Sequence, residues 1–398
     1  MTFLILAVFI VGYVAIAAEH KLHINKAATA LLIGTICWSL YLFDLPELLP
    51  VDAIPDWFRQ VVAEEPVSDV PLHYAVDIQH LNLTGEIASI LFFLIGAMTI
   101  VELIDAHEGF ALITDRIRTR SRRGLLWTVG LLTFFLSAAL DNLTTTIVAV
   151  SLLKKIVSDH DDRLKFVGMV VIAANAGGAW TVIGDVTTTM LWIRHKLGAA
   201  DVMGELFVGS FVCLLVPLVG MSWTMPGKVS QAETSKTMVA SHIRPWHQWL
   251  FLILGLTGLL FVPVFKATTH LPPYMGMMLS LSVLWFVSER VGRTLDEELR
   301  TTTGVHQLLS RIDMSSILFF LGILLAVGAL SATGLLRIAA DRMDSLLPNR
   351  DAVAVAIGLV SAIMDNVPLV AGIEMYDLPI NDPFWMLLAY CAGTGAVA

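Results

Sequence analysis

Long apolar runs separated by short polar segments fill most of this chain. The runs lie at residues 2–18, 27–43, 86–104, 125–153, 166–192, 204–225, 248–266, 273–288, 314–331, 352–373 and 383–398. Several approach the roughly 20 residues that a helix needs to cross a bilayer, where helices satisfy their own backbone polar groups. The pattern therefore predicts an all-α polytopic membrane protein. Residues 2–18 resemble the apolar core of a signal peptide, but we interpret them as the first transmembrane helix.

Composition supports a membrane protein and argues against a nucleic-acid partner. Hydrophobic residues make up 56% of the 398 residues and charged residues 15%, against about 25% charged residues in soluble domains. The net charge of -9 arises largely in the acidic segment 44–77, and no stretch interleaves Lys and Arg with aromatic residues. Cys37, Cys213 and Cys391 each lie in an apolar run without CxxC spacing, so we expect buried free thiols.

A polar cluster interrupts the apolar run 125–153. Residues 137–146 read Ser-Ala-Ala-Leu-Asp-Asn-Leu-Thr-Thr-Thr. An Asp at the bilayer centre costs about 2.5–3.5 kcal/mol on insertion scales, so such a group persists where it faces a cavity or a ligand. The pattern Ser-Ala-x-x-Asp-Asn returns at 361–366. Two polar clusters of one design predict a single site built from two related halves.

Basic residues on both flanks of the run 125–153 predict how it enters the membrane. Arg122 and Arg123 precede the run, and Lys154 and Lys155 follow it. Loops rich in Lys and Arg favour the cytoplasmic side, so a single crossing would place one of these clusters outside. A re-entrant hairpin that turns within 137–142 keeps both clusters in the cytoplasm. Irregular backbone is tolerated at membrane depth where it lines a protein-enclosed cavity.

A second match links the two halves of the chain. Residues 86–94, Glu-Ile-Ala-Ser-Ile-Leu-Phe-Phe-Leu, resemble residues 313–321, Asp-Met-Ser-Ser-Ile-Leu-Phe-Phe-Leu. Each segment precedes a hairpin, and loop charge places the hairpins 125–153 and 352–373 on opposite faces of the membrane. We therefore expect an inverted-topology repeat with two re-entrant hairpins and broken helices.

The repeat predicts the organisation of the chain. The parts are N-terminal transmembrane helices at 1–43, an external acidic loop at 44–82, the first repeat at 83–226, linking helices and cytoplasmic loops at 227–312, and the second repeat at 313–398. The first repeat continues well past its glycine-rich segment, whereas the second stops soon after 390–395. We expect the second repeat to be incomplete, and the 398-residue form to be less stable or less active than an extended one.

Another polar segment follows the first hairpin, at 173–189. Its glycines weaken a helix in mid-span, and unwound backbone brings carbonyl groups and helix ends to the bilayer midplane. Asn175, Asp185, Thr187 and Thr188 add side-chain oxygens. Carboxylate, amide and carbonyl oxygens suit hard cations, and we extend this preference to sodium. Helix packing is the alternative explanation for small residues such as Thr189.

At these motifs the chain resembles NhaD-type sodium/proton antiporters of the ion transporter superfamily, which also includes arsenite and dicarboxylate or citrate permeases. The resemblance rests on the two Ser-x-x-x-Asp-Asn patterns, Asn-Ala-Gly-Gly at 175–178 and Gly-Asp-Val-Thr-Thr at 184–188. It covers most of the chain from Glu86 onward. It implies a multi-pass protein of the inner (plasma) membrane that exchanges cytoplasmic sodium or lithium for external protons by alternating access.

The resemblance also implies an ion site and no enzymatic activity. No cofactor is expected beyond the transported ions. The expected partners are the lipid bilayer, sodium or lithium, and protons. A homodimer is possible. Asp141 and Asp365 are predicted to alternate between cation and proton, with Asp185 as a third candidate. The full set of candidate ligands is Ser137, Asp141, Asn142, Thr144, Asn175, Asp185, Thr187, Thr188, Ser361, Asp365 and Asn366.

Other functions stay open at the level of sequence. A sodium-coupled or proton-coupled permease for dicarboxylate or arsenite shares the superfamily, although acidic hairpin tips oppose an anion site without a coupled cation. A non-transporting scaffold left by truncation is the third interpretation. His107 and His195 lie at span ends, where they act as plain interfacial residues or as pH sensors.

Overall fold

A computed structural model of the chain describes residues 2–114, 117, 119, 121–229, 243–293, 303–347, 349–362, 366–373, 376 and 378–395. Within these ranges the protein is helical and contains no β-strand, apart from an isolated bridge between Ser121 and Lys228. The all-α prediction is therefore confirmed for the part of the chain that the structure describes. The thiols of Cys37, Cys213 and Cys391 are free, but only Cys37 is buried as predicted, and the other two are partly exposed.

The longer helices account for most of the described chain. They are α1 (Thr2–Ala17), α2 (Lys26–Phe43), α3 (Leu81–Ala106), α4 (Arg122–Ser137), α5 (Asn142–Ile156), α6 (His160–Ala179), α7 (Val186–Ile193), α8 (Ala199–Thr224), α9 (Pro245–Thr269), α10 (Pro273–Gly292), α11 (Met314–Ala332), α12 (Leu335–Leu346), α13 (Arg350–Ser361), α14 (Asn366–Ile373) and α15 (Pro383–Gly395). Shorter helical segments lie at Glu19–Leu22, Leu45–Leu48, Val51–Ala53, Asp56–Val61, Val70–His73, Tyr74–His80, Ala111–Thr114 and Val305–Leu309.

Among the described residues, 5 helices are long and apolar enough to cross a membrane. They are α2, the continuous helix Val70–Ala106 that includes α3, and the helices α8, α9 and α11. Length and composition thus make this a polytopic membrane protein. Two of the apolar runs are interrupted: 125–153 divides into α4 and α5, and 166–192 divides into α6 and α7.

The chain forms two compact units. The first unit comprises Met1–Leu91, Asp313–Val353 and Met364–Leu378, and the second comprises Phe92–Ile312, Ala354–Ile363 and Pro379–Ala398. The sequence predicts boundaries at 43, 82, 226 and 312 from repeats and loops, whereas these two units are defined by compactness. The predicted boundaries therefore stay a prediction.

In the first unit, α2 packs closely against α11. A Cβ added at Gly34 would lie 2.6 Å from the Gly322 carbonyl oxygen, so the two backbones touch at these glycines. Small residues permit this approach in membrane helices, where packing replaces the hydrophobic effect as the attraction between helices. Near the crossing, the indole Nε1 of Trp38 donates to the Leu325 carbonyl at 2.9 Å.

In the second unit, one end is marked by an ion pair between Arg122 and Asp162, whose N and O atoms are 2.5 Å apart. The Arg122 backbone N–H also donates to the Gly227 carbonyl at 3.0 Å. These contacts hold together the start of α4, the start of α6 and the chain that follows α8. Asp162 has only 7% of its side chain exposed and Arg122 has 33%, so the pair is a partly buried connection between helix ends.

The opposite end of the second unit is marked by Asn381. Its backbone N–H donates to the Lys196 carbonyl at 2.9 Å, and its side chain accepts from the Gly198 N–H at 2.6 Å and donates to Asp201 at 2.6 Å. The end of α7, the start of α8 and the start of α15 therefore lie together. Helix α8 separates the two ends by roughly 39 Å, at about 1.5 Å per residue. Helices α6 and α15 thus start from opposite ends of this unit.

Candidate functional site

The break between α4 and α5 is closed by an N-cap. Asp141 has extended backbone angles of φ -145 and ψ 165, and its two carboxylate oxygens accept from the Thr144 N–H and the Thr144 hydroxyl, each at 2.7 Å. An N-cap side chain satisfies a backbone N–H that the first helical turn leaves unpaired. The described contacts of the Asp141 carboxylate are therefore with its own helix.

The break between α6 and α7 ends in a similar cap. Asp185 Oδ2 accepts from the backbone N–H groups of Thr187 at 3.0 Å and Thr188 at 3.3 Å, and it also accepts from the Thr187 hydroxyl. The Asp185 side chain is 2% exposed. A buried carboxylate at a helix N-terminus is stabilised by the positive end of the helix dipole.

Asn142 connects the two breaks. Its side-chain amide donates to Asn175 Oδ1 at 2.8 Å and to Asp185 Oδ1 at 3.3 Å. Asn175 is 5% exposed. The start of α5, the last turns of α6 and the start of α7 thus meet at two amides and a carboxylate. This Asn142–Asn175–Asp185 cluster is the polar centre of the second unit.

A close helix contact, which we call the first junction, supports this centre. The Ser137 hydroxyl at the tip of α4 donates to the Ala174 carbonyl of α6 at 2.6 Å. A Cβ at Gly177 would overlap the Phe134 carbonyl oxygen, so only glycine fits there without a shift. The first junction holds the hairpin tip against the glycine-rich end of α6.

The second junction repeats this packing between α13 and α15. The Ser361 hydroxyl donates to the Ala392 carbonyl at 3.3 Å and to the Gly358 carbonyl of its own helix at 2.8 Å. A Cβ at Gly395 would overlap the Gly358 carbonyl oxygen. In both junctions the overlapped carbonyl lies one helical turn before the serine, and the glycine lies one turn after the accepting alanine. The correspondence pairs Phe134 with Gly358, Ser137 with Ser361, Ala174 with Ala392 and Gly177 with Gly395.

The α15 tip also approaches Asp185. A Cβ built at Gly393 would lie 3.4 Å from Asp185 Oδ2 and 3.3 Å from the Ala179 Cβ. Gly393 immediately follows Ala392, as Asn175 follows Ala174. The two junctions therefore differ at this position, where the first carries an amide and the second carries no side chain.

The structure gathers most of the predicted ligands of the first half. Ser137 lies in the first junction, and Asn142, Asn175 and Asp185 form the cluster. The backbone N–H groups of Thr187 and Thr188 bond the Asp185 carboxylate, whereas Asp141 and Thr144 pair with each other. In the second half, Ser361 lies in the second junction. Asn366 begins α14 in the first unit and is 9% exposed. Asp365 lies outside the described residues.

One residue of the site was missed from the sequence. The Thr181 hydroxyl donates to the Ala138 carbonyl at 2.7 Å and accepts from the Gly184 N–H at 3.0 Å. It thereby fixes the loop between α6 and α7 against the hairpin tip. Its position between two glycine-containing motifs was a usable signal, because a threonine in an unwound segment readily bonds free backbone groups.

His107 lies apart from the cluster, just after α3. Its ring stacks on Phe251 with centroids 3.5 Å apart, and its Nδ1 lies 2.9 Å from the Leu103 carbonyl oxygen. Burial lowers the pKa of His107 to about 4, so the ring is neutral near pH 7. His195, just after α7, also has a lowered pKa, first because of burial and then because of nearby Lys266.

The chain is similar to known transport proteins over nearly its whole length. A family model described as "Citrate transporter" matches residues 4–393. The chain is 46% identical over 391 residues to "Sodium/proton antiporter 1" of Arabidopsis thaliana, an alignment that covers 97% of this chain and 63% of that relative. It is 43% identical over 393 residues to "Sodium/proton antiporter 2" of the same plant, with 97% and 87% covered.

A bacterial relative extends the comparison. The chain is 29% identical over 423 residues to "Na(+)/H(+) antiporter NhaD" of Alkalimonas amylolytica, with 99% of this chain and 80% of that protein covered. The chain thus spans 63% of the length of the first plant relative and a larger share of the other two. These matches agree with the motifs that resemble NhaD-type antiporters. Because the family model covers residues 4–393, the chain belongs to the citrate-transporter family of the ion transporter superfamily.

Proposed function

We propose that this protein exchanges sodium or lithium for protons by alternating access. The Asn142–Asn175–Asp185 cluster carries this proposal, because it joins three helix ends through a buried carboxylate and two amides. Ionisable groups within membrane segments are rare and typically mark ion or proton pathways. The names of the three relatives, all sodium/proton antiporters, support the same activity.

The chemistry of the cluster suits a small cation. Asp185 supplies a negative charge that compensates a dehydrated cation, and the amides and threonine hydroxyls supply neutral oxygens of the kind that hard cations prefer. The same carboxylate accepts a proton when the cation leaves. Binding either ion, but not both, couples the movement of sodium in one direction to protons in the other.

The contacts distinguish the candidate carboxylates. Asp185 accepts from the Asn142 amide of the cluster, whereas the described contacts of Asp141 are with Thr144. We therefore assign Asp185 the main role in exchange and give Asp141 a supporting role at the start of α5, from which it can join the site when the hairpin moves. Asp365 remains the proposed counterpart in the second repeat.

The membrane arrangement is part of the proposal. We infer that α4 and α5 form a re-entrant hairpin and that residues 83–226 and 313–398 are inverted repeats in a plasma membrane. The Arg122–Asp162 pair supports the hairpin, because it joins residues on either side of α4 and α5. The matched junctions, built by α6 and α15 from opposite ends of the second unit, support the inversion.

A coupled anion permease is the second candidate, favoured by the description of the matching family model as a citrate transporter. Everted membrane vesicles that contain a pH-sensitive dye separate the two functions. Exchange of sodium or lithium for protons predicts dequenching when either cation is added to respiring vesicles, with no response to potassium. Dequenching only on addition of citrate, a dicarboxylate or an oxyanion would replace the first proposal with the second.

A further inference from the structure

The two junctions place different groups at matched positions beside the cluster. Asn175 follows the alanine that accepts the serine bond in the first junction, and Gly393 follows the corresponding alanine in the second. Asn175 bonds Asn142. Gly393 lies instead against Asp185, with no side chain of its own to occupy the space between α15 and the carboxylate.

The geometry at Gly393 leaves room for little more than one carbon atom. A Cβ there would lie 3.4 Å from Asp185 Oδ2 and 3.6 Å from its Cγ, which are ordinary contact distances. The Ala179 Cβ would be 3.3 Å away, a slightly tight contact. Alanine at 393 therefore fits with a small adjustment, but its methyl group would cover the carboxylate oxygen on the α15 side.

A second observation points to a ligand beside this carboxylate. The Thr188 hydroxyl is fully buried and has no hydrogen-bond partner among the residues that the structure describes. Its own backbone N–H bonds Asp185 Oδ2 at 3.3 Å. A buried hydroxyl without a hydrogen-bond partner is unfavourable, and a cation bound at Asp185 would give this oxygen a role as ligand.

We propose that Gly393 sets the size of the cation that binds at Asp185. The bare backbone at this position keeps the α15 side of the carboxylate open to a dehydrated sodium ion, and a methyl group there restricts the site to the smaller lithium ion. This inference rests on the proposed cation exchange and adds to it a residue that determines specificity. At this matched position the second junction thus contributes space, whereas the first contributes the Asn175 amide.

The test compares sodium and lithium in wild-type protein and in Gly393→Ala. One methyl group changes discrimination in a packed pocket by roughly tenfold or more, so we expect the ratio of apparent KM for sodium to that for lithium to rise about tenfold. Dequenching in everted vesicles gives both KM values. Thermal stabilisation of the purified protein by each cation gives an independent measure of binding.

Two further variants control for packing. Gly204→Ala lies on α8, where an added Cβ meets no atom within 4 Å, and it should leave the ratio unchanged. The double variant Ala179→Gly with Gly393→Ala removes the tight contact between these two positions but keeps the methyl group beside Asp185. It should restore stability and retain the altered ratio.

The outcomes separate the inference from the function on which it rests. A ratio that stays at the wild-type value in the stable double variant would overturn the role of Gly393 and leave cation exchange intact. A return to the wild-type ratio in the double variant would also overturn it, because the effect would then come from packing against Ala179. Wild-type protein that responds to neither cation would overturn the proposed function and this inference together.

Discussion

At the first junction Ser137 donates to the Ala174 carbonyl, and at the second Ser361 donates to the Ala392 carbonyl. The glycine one turn later touches backbone in both places. The polar chemistry, however, is unequal: the first junction leads to Asn175, and the second leads to Gly393. The two junctions therefore share the way in which their helix tips meet, but they differ in the side chain that follows the accepting alanine.

Cysteine labelling tests the proposed orientation of the α4–α5 hairpin in the membrane, and each site should react from one side only. Single cysteines at Ser121 and Ser158, introduced after the native cysteines are replaced, should both react with a membrane-impermeant maleimide only from the cytoplasmic side. The reason is that the Arg122–Asp162 pair holds the two flanks of the α4–α5 segment at one end. Ala200→Cys, at the opposite end of α8, should react only from the other side. Labelling of Ser121→Cys and Ser158→Cys from different sides would contradict the hairpin.

Glycine substitutions test whether the packing is duplicated. Gly177→Ala and Gly395→Ala should each destabilise the protein by roughly 3 kcal/mol, because a methyl group forced against backbone displaces a helix tip. Gly168→Ala, on α6 with no atom within 4 Å of an added Cβ, is the control and should be neutral or slightly stabilising. Thermal unfolding in detergent provides the measurement. If Gly177→Ala destabilises the protein and Gly395→Ala does not, the two junctions are not packed in the same way.

Removal of an amide tests whether the ligands are concentrated in the first half. Asn142→Ala deletes the bonds to Asn175 and Asp185, and loss of a group that orients ligands typically lowers metal affinity or activity by about 10–100-fold. We expect sodium affinity in vesicles to fall within that range while membrane content is maintained. Ser151→Ala on the exposed side of α5 is the matched control. An equal fall in Thr394→Val, whose hydroxyl bonds Tyr390 of its own helix, would show that both halves supply ligands.

Substitution of the two junction serines should give the smallest difference in stability. Ser137→Ala loses a bond of 2.6 Å to a neighbouring helix and should reduce stability by about 1 kcal/mol. Ser361→Ala should have a smaller effect, because the Ser361 hydroxyl bonds its own helix at 2.8 Å and the partner helix only at 3.3 Å. Paired unfolding measurements check the order. A larger loss at Ser361 would mean that the second junction is the tighter one.

Much of this arrangement could be predicted from the sequence. The repeated Ser-x-x-x-Asp-Asn pattern pointed to the two helix tips, and the polar segment 173–189 pointed to Asn175 and Asp185. The direction of the Asp141 carboxylate could not be predicted, because an aspartate before a helix is equally suited to capping and to ligand binding. The matched roles of Gly177 and Gly395 depend on backbone approach between distant segments, which no local pattern encodes.

The contrast between Asp141 and Asp185 has the same origin. Both are N-caps, but only Asp185 has a described bond to the amide of Asn142. That bond requires the starts of α5 and α7 to converge, and convergence depends on the helix packing at the first junction. The sequence favours Asp141 over Asp185 as the exchanging carboxylate, whereas the contacts favour the reverse order for the proposed role.

Sodium-dependent dequenching in vesicles that contain Asp185→Asn, normalised to membrane content, tests whether Asp185 is the carboxylate that exchanges sodium for a proton. Asn is as good an N-cap as Asp, so the substitution removes the charge and the proton carrier while it retains the cap on α7. We expect antiport to be abolished in Asp185→Asn, lowered in Asp141→Asn and nearly unchanged in Asp105→Asn near the end of α3. Antiport retained in Asp185→Asn at unchanged sodium affinity would show that Asp185 is not the exchanging carboxylate and would locate the ion site elsewhere.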